Sequence, residues 1–408
     1  DIASQYFGQS VSSRQIQELA KDIEIAYRTE AKDMRQLQKV GERLIQSAAD
    51  LRIVLGDTGF RGNWREALKS ESIARELVRL QDALQLAVDV LKLALGRSQL
   101  LDTAFERATM IKSRIERVCD VSITGYSYWY DTTPRQFALH ITPLSVADKF
   151  HEQIELKPGA WVFTSATLAV SDDFDHFTSR LGLKPSAQFS LPSPFDYPNQ
   201  ARLCVPRYLP EPNSPGLADK LARMLAPVIE QNQGRCFFLC TSHSMMKELG
   251  ERFRETLTVP VLLQGETSKQ KTLAEFMELG NALLVATGAF WEGIDVRGDA
   301  LSCVIIDKLP FTAPDDPLLK ARIEDCKLKG GDPFAQVQLP DAVITLKQGV
   351  GRLIRDKRDN GALIICDNRL VTRDYGGVFL ASLPPIPRTR DLGIIKEFLA
   401  KDHSTAAE

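Results

Sequence analysis

The sequence has no Cys-x-x-Cys pair. Its seven cysteines, at 119, 204, 236, 240, 303, 326 and 366, follow no regular spacing. An odd, irregular set argues against a disulfide framework and for a reducing, cytoplasmic compartment. Cys236 and Cys240 lie in a strand-like run and read as core residues rather than metal ligands. No apolar run reaches the roughly 18 residues that a membrane-spanning helix needs, and there is no signal peptide. The net charge is only −2 over 408 residues, so a polyanion site would have to come from local clustering. A small-molecule enzyme on a doubly wound fold finds no support, because the glycine fingerprint, nucleophile elbow and metal cluster are all missing. Nor is there a Gly-x-x-x-x-Gly-Lys-Ser/Thr loop, so the lysine that cradles nucleotide phosphates is absent.

What is present is concentrated late in the chain. Gln348-Gly349-Val350-Gly351-Arg352-Leu353-Ile354-Arg355 follows the apolar-periodic run Ala342 to Lys347, which predicts a continuing helix. Gln348, Arg352 and Arg355 would then fall at i, i+4 and i+7 on one face. Two guanidiniums there suit a triphosphate, since each binds phosphate oxygens as a fork and keeps its charge. A solvated basic helix is the alternative, because Lys357 and Arg358 follow. The two glycines cost about 1 kcal/mol each relative to alanine in a helix interior, which implies close approach of a backbone or ligand.

Residues 1–122 read as helical, with stripes such as Ile16, Leu19, Ile23 and Tyr27, or Leu77, Leu80, Leu84, Val88 and Leu91. Ser98 is placed to cap a further helix. These stripes are packing seams and propose no chemistry. Around Val121 the period changes to strands over Tyr126 to Tyr130 and Phe137 to Ile141, with a turn near Thr133-Pro134. The aromatic residues there suit either half-buried strand positions or base stacking. Ala160 to Thr164 reads as a short buried strand ending in Ser165-Ala166-Thr167-Leu168. Seven prolines between Pro192 and Pro215 mark a domain boundary. Beyond it strand and helix alternate to Cys366, which predicts an α/β domain on a parallel sheet with both faces covered. Thr241-Ser242-His243 and the loop Thr287 to Asp295 follow strands, where such sheets gather their ligands. The tail carries Pro384-Pro385-Ile386-Pro387 and an amphipathic helix over 391–399. That helix either docks a partner or packs back on its own domain.

Taken together these strings resemble the conserved motifs of superfamily 2 helicases. Thr164 to Leu168 is similar to motif III, Thr241-Ser242 to motif IV, Trp291-Glu292-Gly293-Ile294-Asp295 to motif V, and Gln348 to Arg355 to motif VI. Lys308-Leu309-Pro310-Phe311 and Gly330 to Phe334 narrow the resemblance to the XPD-like branch, in its bacterial DinG and YoaA form. It covers roughly residues 140–380, and the helical region fits by position as the arch inserted into the first motor domain.

The resemblance implies an ATP-dependent 5′–3′ DNA helicase of repair and replication, built from two RecA-like domains with ATP between them. It divides the chain into an arch-like insertion (1–122), the rest of a first motor domain (123–198), a second motor domain (199–383) and a C-terminal tail (384–408). Arg352 and Arg355 would reach the phosphates with Gln348 positioning them, and Glu292 and Asp295 would lie near the nucleotide. Ser165, Thr167, Thr241, Ser242 and Thr287 would contact single-stranded DNA. The magnesium ligands of a DEAH box and the four cysteines of a 4Fe-4S cluster are not in this sequence, and Asp1-Ile2-Ala3 resembles the continuation of that box. The polypeptide is therefore expected not to hydrolyse ATP by itself. The implied partner is the chi subunit of DNA polymerase III. The alternative is a non-catalytic module that binds DNA or protein.

Overall fold

Ser12 opens the first long helix with a reciprocal cap. Its hydroxyl accepts from Gln15 N at 3.3 Å, while its own N–H donates to Gln15 Oε1 at 3.0 Å, which satisfies two donors that the helix start leaves open. In the computed structural model, which describes residues 6–405 except 57, 158, 171–172, 185 and 291–299, this helix is Ser13–Glu30. It packs with Arg35–Val54 and Gln99–Cys119, and Glu71–Lys92 packs against both of those. Ser98 caps the last of these through Leu101 N. The predicted stripes supply the core, with Ile16, Leu19, Ile23, Leu44, Leu80, Leu84 and Leu91 all fully buried.

The helices share this core with a four-stranded antiparallel sheet of order β1-β4-β3-β2, formed by β1 (Gln9–Ser12), β2 (Arg61–Asn63), β3 (Tyr126–Thr132) and β4 (Phe137–Pro143). Tyr128 pairs with Ile141 and Tyr130 with Leu139, and all four are buried. Trp64 seats its ring among them and donates from Nε1 to Val118 O at 3.1 Å. On the opposite side of β3, Trp129 stacks on His140 at 3.8 Å, with the Arg61 guanidinium 4.6 Å from the Trp129 ring. Alternation thus divides the aromatic run between core and outer face. The helix Pro317–Leu328 belongs to this unit, which comprises Asp1–Gly159, Arg180–Leu183 and Ala313–Pro333.

The second unit comprises Ala160–Ser179, Lys184–Thr312 and Phe334–Glu408. Its centre is a seven-stranded, wholly parallel sheet of order β11-β5-β10-β9-β6-β8-β7. The strands are β5 (Ala201–Cys204), β6 (Cys236–Leu239), β7 (Val261–Leu263), β8 (Leu283–Ala286), β9 (Cys303–Ile306), β10 (Gly361–Ile365) and β11 (Arg388–Thr389). The helices Leu217–Gln231, His243–Thr256, Lys269–Leu279, Leu339–Val350 and Leu392–Thr405 belong to the same unit. Every residue of β6, β8, β9 and β10 is buried, as expected for a doubly covered parallel sheet. The mixed α/β class with a RecA-like sheet is therefore as the sequence predicted.

One predicted element differs. Ala160 to Thr164 is not a strand; Val162 is 81% exposed. Among the described residues no strand pairs with it, and a strand exists only as part of a hydrogen-bonded ladder. The tail, for which docking and packing back were both open, packs back on its own domain and adds a strand to the sheet. β11 pairs with β5, Arg390 donates to Val205 O, Pro206 O and Asn368 Oδ1, and Ile395 and Leu399 are buried. No helix among the described residues is long and apolar enough to cross a membrane.

Candidate functional site

All seven strands run the same way, so the loops that follow them collect at one edge. Thr241 comes two residues after β6 and Thr287 directly after β8, its neighbour in the sheet. Thr241 donates its N–H to Asp307 Oδ1 at 3.0 Å and its hydroxyl to Asp307 Oδ2 at 3.1 Å. Thr287 is buried, and its N–H donates to Gln264 Oε1 at 2.7 Å, with the hydroxyl 3.4 Å from the same oxygen. The donors of both threonines are thus committed inward. Ser242 is different. Its oxygen caps the helix His243–Thr256 by accepting from Met245 N at 3.3 Å, which leaves its hydroxyl proton able to donate beside the helix N-terminus.

Asp307, directly after β9, is 1% exposed. Burial pushes its carboxyl up to about 6, against the lowering effect of bonds from Thr241 and of nearby Lys308. Asp367 follows β10 and performs a similar task one strand along. It accepts from Leu309 N at 2.9 Å and from Arg369 Nη2 at 2.6 Å. Two buried carboxylates therefore tie together the loops after β6, β9 and β10. The sequence reading passed over both, since an aspartate after a strand is an ordinary turn residue. The available signal was its repetition, Ile305-Ile306-Asp307 and Ile364-Ile365-Cys366-Asp367.

The arginines lie at the opposite edge. The helix Leu339–Val350 leads back from β9 to the start of β10, and it ends before them. Gly351 donates to Lys347 O, Arg352 to Gly349 O and Leu353 to Val350 O, so the chain tightens into turns. Gln348 stays in the last helical turn, whereas Arg352 and Arg355 do not continue its helical face. The expected i, i+4, i+7 face is thus corrected. Its cause is local: glycine weakens the helix, and Asp359 Oδ2 takes the N–H groups of Arg355 and Asp356, each at 2.8 Å. Arg352 is buried and Arg355 half-buried. Leu353 packs against the first residue of β10: a Cβ on Gly361 would lie 2.5 Å from Leu353 Cδ1.

Ser165 and Thr167 form a local hydroxyl turn, with Thr167 N donating to Ser165 Oγ at 3.1 Å. Ser165 is exposed. Their segment is held to the helix Leu339–Val350 by Lys347 Nζ, which donates to Ala169 O at 2.8 Å, and by His176 Nε2, 3.4 Å from Asp341 Oδ1. Glu292 and Asp295 lie outside the described residues. No group of three or more His, Cys, Asp or Glu residues among the described residues could hold a metal ion. The described residues thus offer no ligand cluster for an iron–sulfur centre.

The Helicase C-terminal domain family matches residues 225–386, a stretch that includes Thr241, Thr287, Arg352 and Arg355. An ATP-dependent DNA helicase YoaA of Escherichia coli strain K12 is 66% identical over 400 residues, which cover 98% of this chain and 63% of that protein. Over nearly its whole length the chain is thus similar to this bacterial helicase. A second ATP-dependent DNA helicase YoaA, from Haemophilus influenzae, is 58% identical over 98% of this chain and 62% of its own length. The ATP-dependent helicase DinG of Mycobacterium tuberculosis strain H37Ra is 35% identical over 64% of this chain and 40% of its own length. The chain thus spans less than two thirds of the length of these curated relatives. A solved apo XPD superposes with a TM-score of 0.58 at 17% identity, covering 95% of this chain and 74% of the other. That likeness supports the fold.

Proposed function

We propose that this chain supplies the second motor domain (199–383) and the arch-like insertion (1–122) of an ATP-dependent DNA helicase that moves 5′ to 3′ on a single strand in repair or replication. In this reading 123–198 completes a first motor domain and 384–408 forms the tail. One observation carries the proposal: the arginine turn stands at one edge of the parallel sheet, and the Thr241, Ser242 and Thr287 loops stand at the other. A single domain can therefore grip a triphosphate and a DNA backbone at opposite ends. Arg352 and Arg355 stabilise charge on the phosphoryl group in transfer, with Gln348, Glu292 and Asp295 near the nucleotide. Loss of such a finger costs ~10³-fold or more in rate. Ser242, Ser165 and Thr167 form the contact to single-stranded DNA, while Thr241 and Thr287, whose donors point inward, hold the loops that present it.

The phosphate-loop lysine and the magnesium ligands must come from outside this sequence, so the chain alone does not turn over ATP. Any 4Fe-4S cluster also lies elsewhere. The protein works in the cytoplasm, and the chi subunit of DNA polymerase III is its protein partner. The test is phosphate release stimulated by single-stranded DNA. Full-length protein should hydrolyse ATP, R352A and R355A should reduce kcat by about three orders of magnitude or more, and residues 1–408 alone should be silent. Turnover by residues 1–408 alone, or by the double variant R352A/R355A, rejects the assignment.

A further inference from the structure

Gln200 is a buried amide, 7% exposed, at the end of the short helix Tyr197–Gln200 that leads into β5. Both ends of the amide are engaged. Oε1 accepts from Asp196 N at 2.8 Å. Nε2 faces three carbonyl oxygens of one loop: Asp356 O at 3.3 Å, Lys357 O at 3.0 Å and Asp359 O at 2.8 Å. That loop is the one that holds Arg355, because the Asp359 carboxylate accepts from Arg355 N and Asp356 N. A chain of hydrogen bonds therefore runs from the proline-rich segment before β5, through one amide, to the backbone of an arginine 155 positions later (355 − 200).

We infer that Gln200 is a positioning residue for Arg355, fixing the turn that presents its guanidinium. Two N–H groups shared among three carbonyls hold the loop more tightly than a hydrophobic contact would, since each oxygen would otherwise be under-satisfied beside a buried side chain. Alanine removes all three bonds. Glutamate keeps the acceptor for Asp196 N but sets a carboxylate against three carbonyl oxygens. The inference rests on the reading of Arg355 as a phosphate-contacting group, and the test separates the two.

In full-length protein, the kcat and KM for ATP of DNA-stimulated hydrolysis are measured for Q200A, Q200E, D359N, R355A and Q200A/R355A, together with single-stranded DNA affinity and melting temperature. Small misplacements of a reacting group can cost up to about 100-fold in rate. Q200A should lower kcat at least about tenfold and Q200E further, with DNA affinity unchanged within about twofold. D359N, which keeps an acceptor oxygen for Arg355 N, should fall between parent and Q200A. The double variant should be no slower than R355A alone, because a displaced finger and a missing finger are the same defect. If the Q200A and R355A losses multiply, or Q200A keeps the parental kcat, Gln200 does not act through Arg355. If R355A itself keeps the parental kcat, the phosphate role of the arginine turn fails first. Should Q200A not fold, D359N carries the same comparison.

Discussion

Thr241 gives both of its donors, backbone and hydroxyl, to the one buried carboxylate of Asp307. A hydroxyl already donating inward turns lone pairs outward, and lone pairs repel phosphate oxygens. T241V should therefore change single-stranded DNA affinity by no more than about twofold, whereas S242A should weaken it about tenfold or more, since a charge-assisted hydrogen bond contributes about 1.5–3 kcal/mol. D307N reverses the logic: its amide can donate to the Thr241 oxygen and release the hydroxyl proton toward solvent. Binding should tighten in D307N and fall back in D307N/T241V. Fluorescence anisotropy with labelled oligonucleotides reads all four variants, and a large loss in T241V alone contradicts the inward commitment.

Asp307 also predicts a pH dependence. Its folded-state value of about 6 lies above the ordinary 3.8. Between these values the folded protein holds a proton that the unfolded chain has released, so this group's contribution falls as pH rises from about 4 to about 6. Two units correspond to about 3 kcal/mol. Relative to D307N, the parent should be most stable near pH 4 and lose that advantage by pH 7. Denaturant titrations of both proteins at the two pH values measure it, and a flat or rising difference is the contrary result.

The buried tail makes a third prediction. Ile395 and Leu399 are buried, and a buried Ile→Ala or Leu→Ala change typically costs about 2–5 kcal/mol. I395A should lower the melting temperature clearly, and removing 384–408 should lower it more, because β11 leaves with it. An unchanged melting transition in the truncated chain would make the tail a free docking arm.

Gly361 connects packing to the arginine turn. An added Cβ would stand 2.5 Å from Leu353 Cδ1 and 2.7 Å from Ser302 O. G361A should cost about 1–3 kcal/mol by overpacking, and hydrolysis by the full-length protein should suffer beyond what stability explains, because Leu353 moves with Arg352. Equal activity per folded molecule would show that the turn tolerates the shift.

Much of the second unit was legible in the sequence because its strands are short, wholly apolar and punctuated by helices. The helix Leu217–Gln231 and strand Cys303–Ile306 lie where the pattern puts them. β5 and β11 were not legible. Each is short and hidden among prolines, and each exists only because a neighbour far along the chain pairs with it. At the site, the motif positions were readable but their hydrogen-bond partners were not. Gln200, Gln264, Asp307 and Asp359 are ordinary polar residues until the fold brings distant loops to them. The arginine helix failed as a prediction because periodicity does not report where an aspartate side chain will capture the next backbone N–H.

The strand order has a consequence for synthesis. β5 is made early, yet its two partners are β10 and β11. From Ala201 to Gly361 is 160 positions (361 − 201), which a ribosome adding about 5–20 residues per second covers in roughly 8–30 s. Throughout that interval the nascent chain carries a β5 segment with neither backbone edge paired, a liability that invites pairing with other chains. Prolines at 198 and 206, on either side of Ala201–Cys204, keep that sticky stretch to a few residues until its partners emerge.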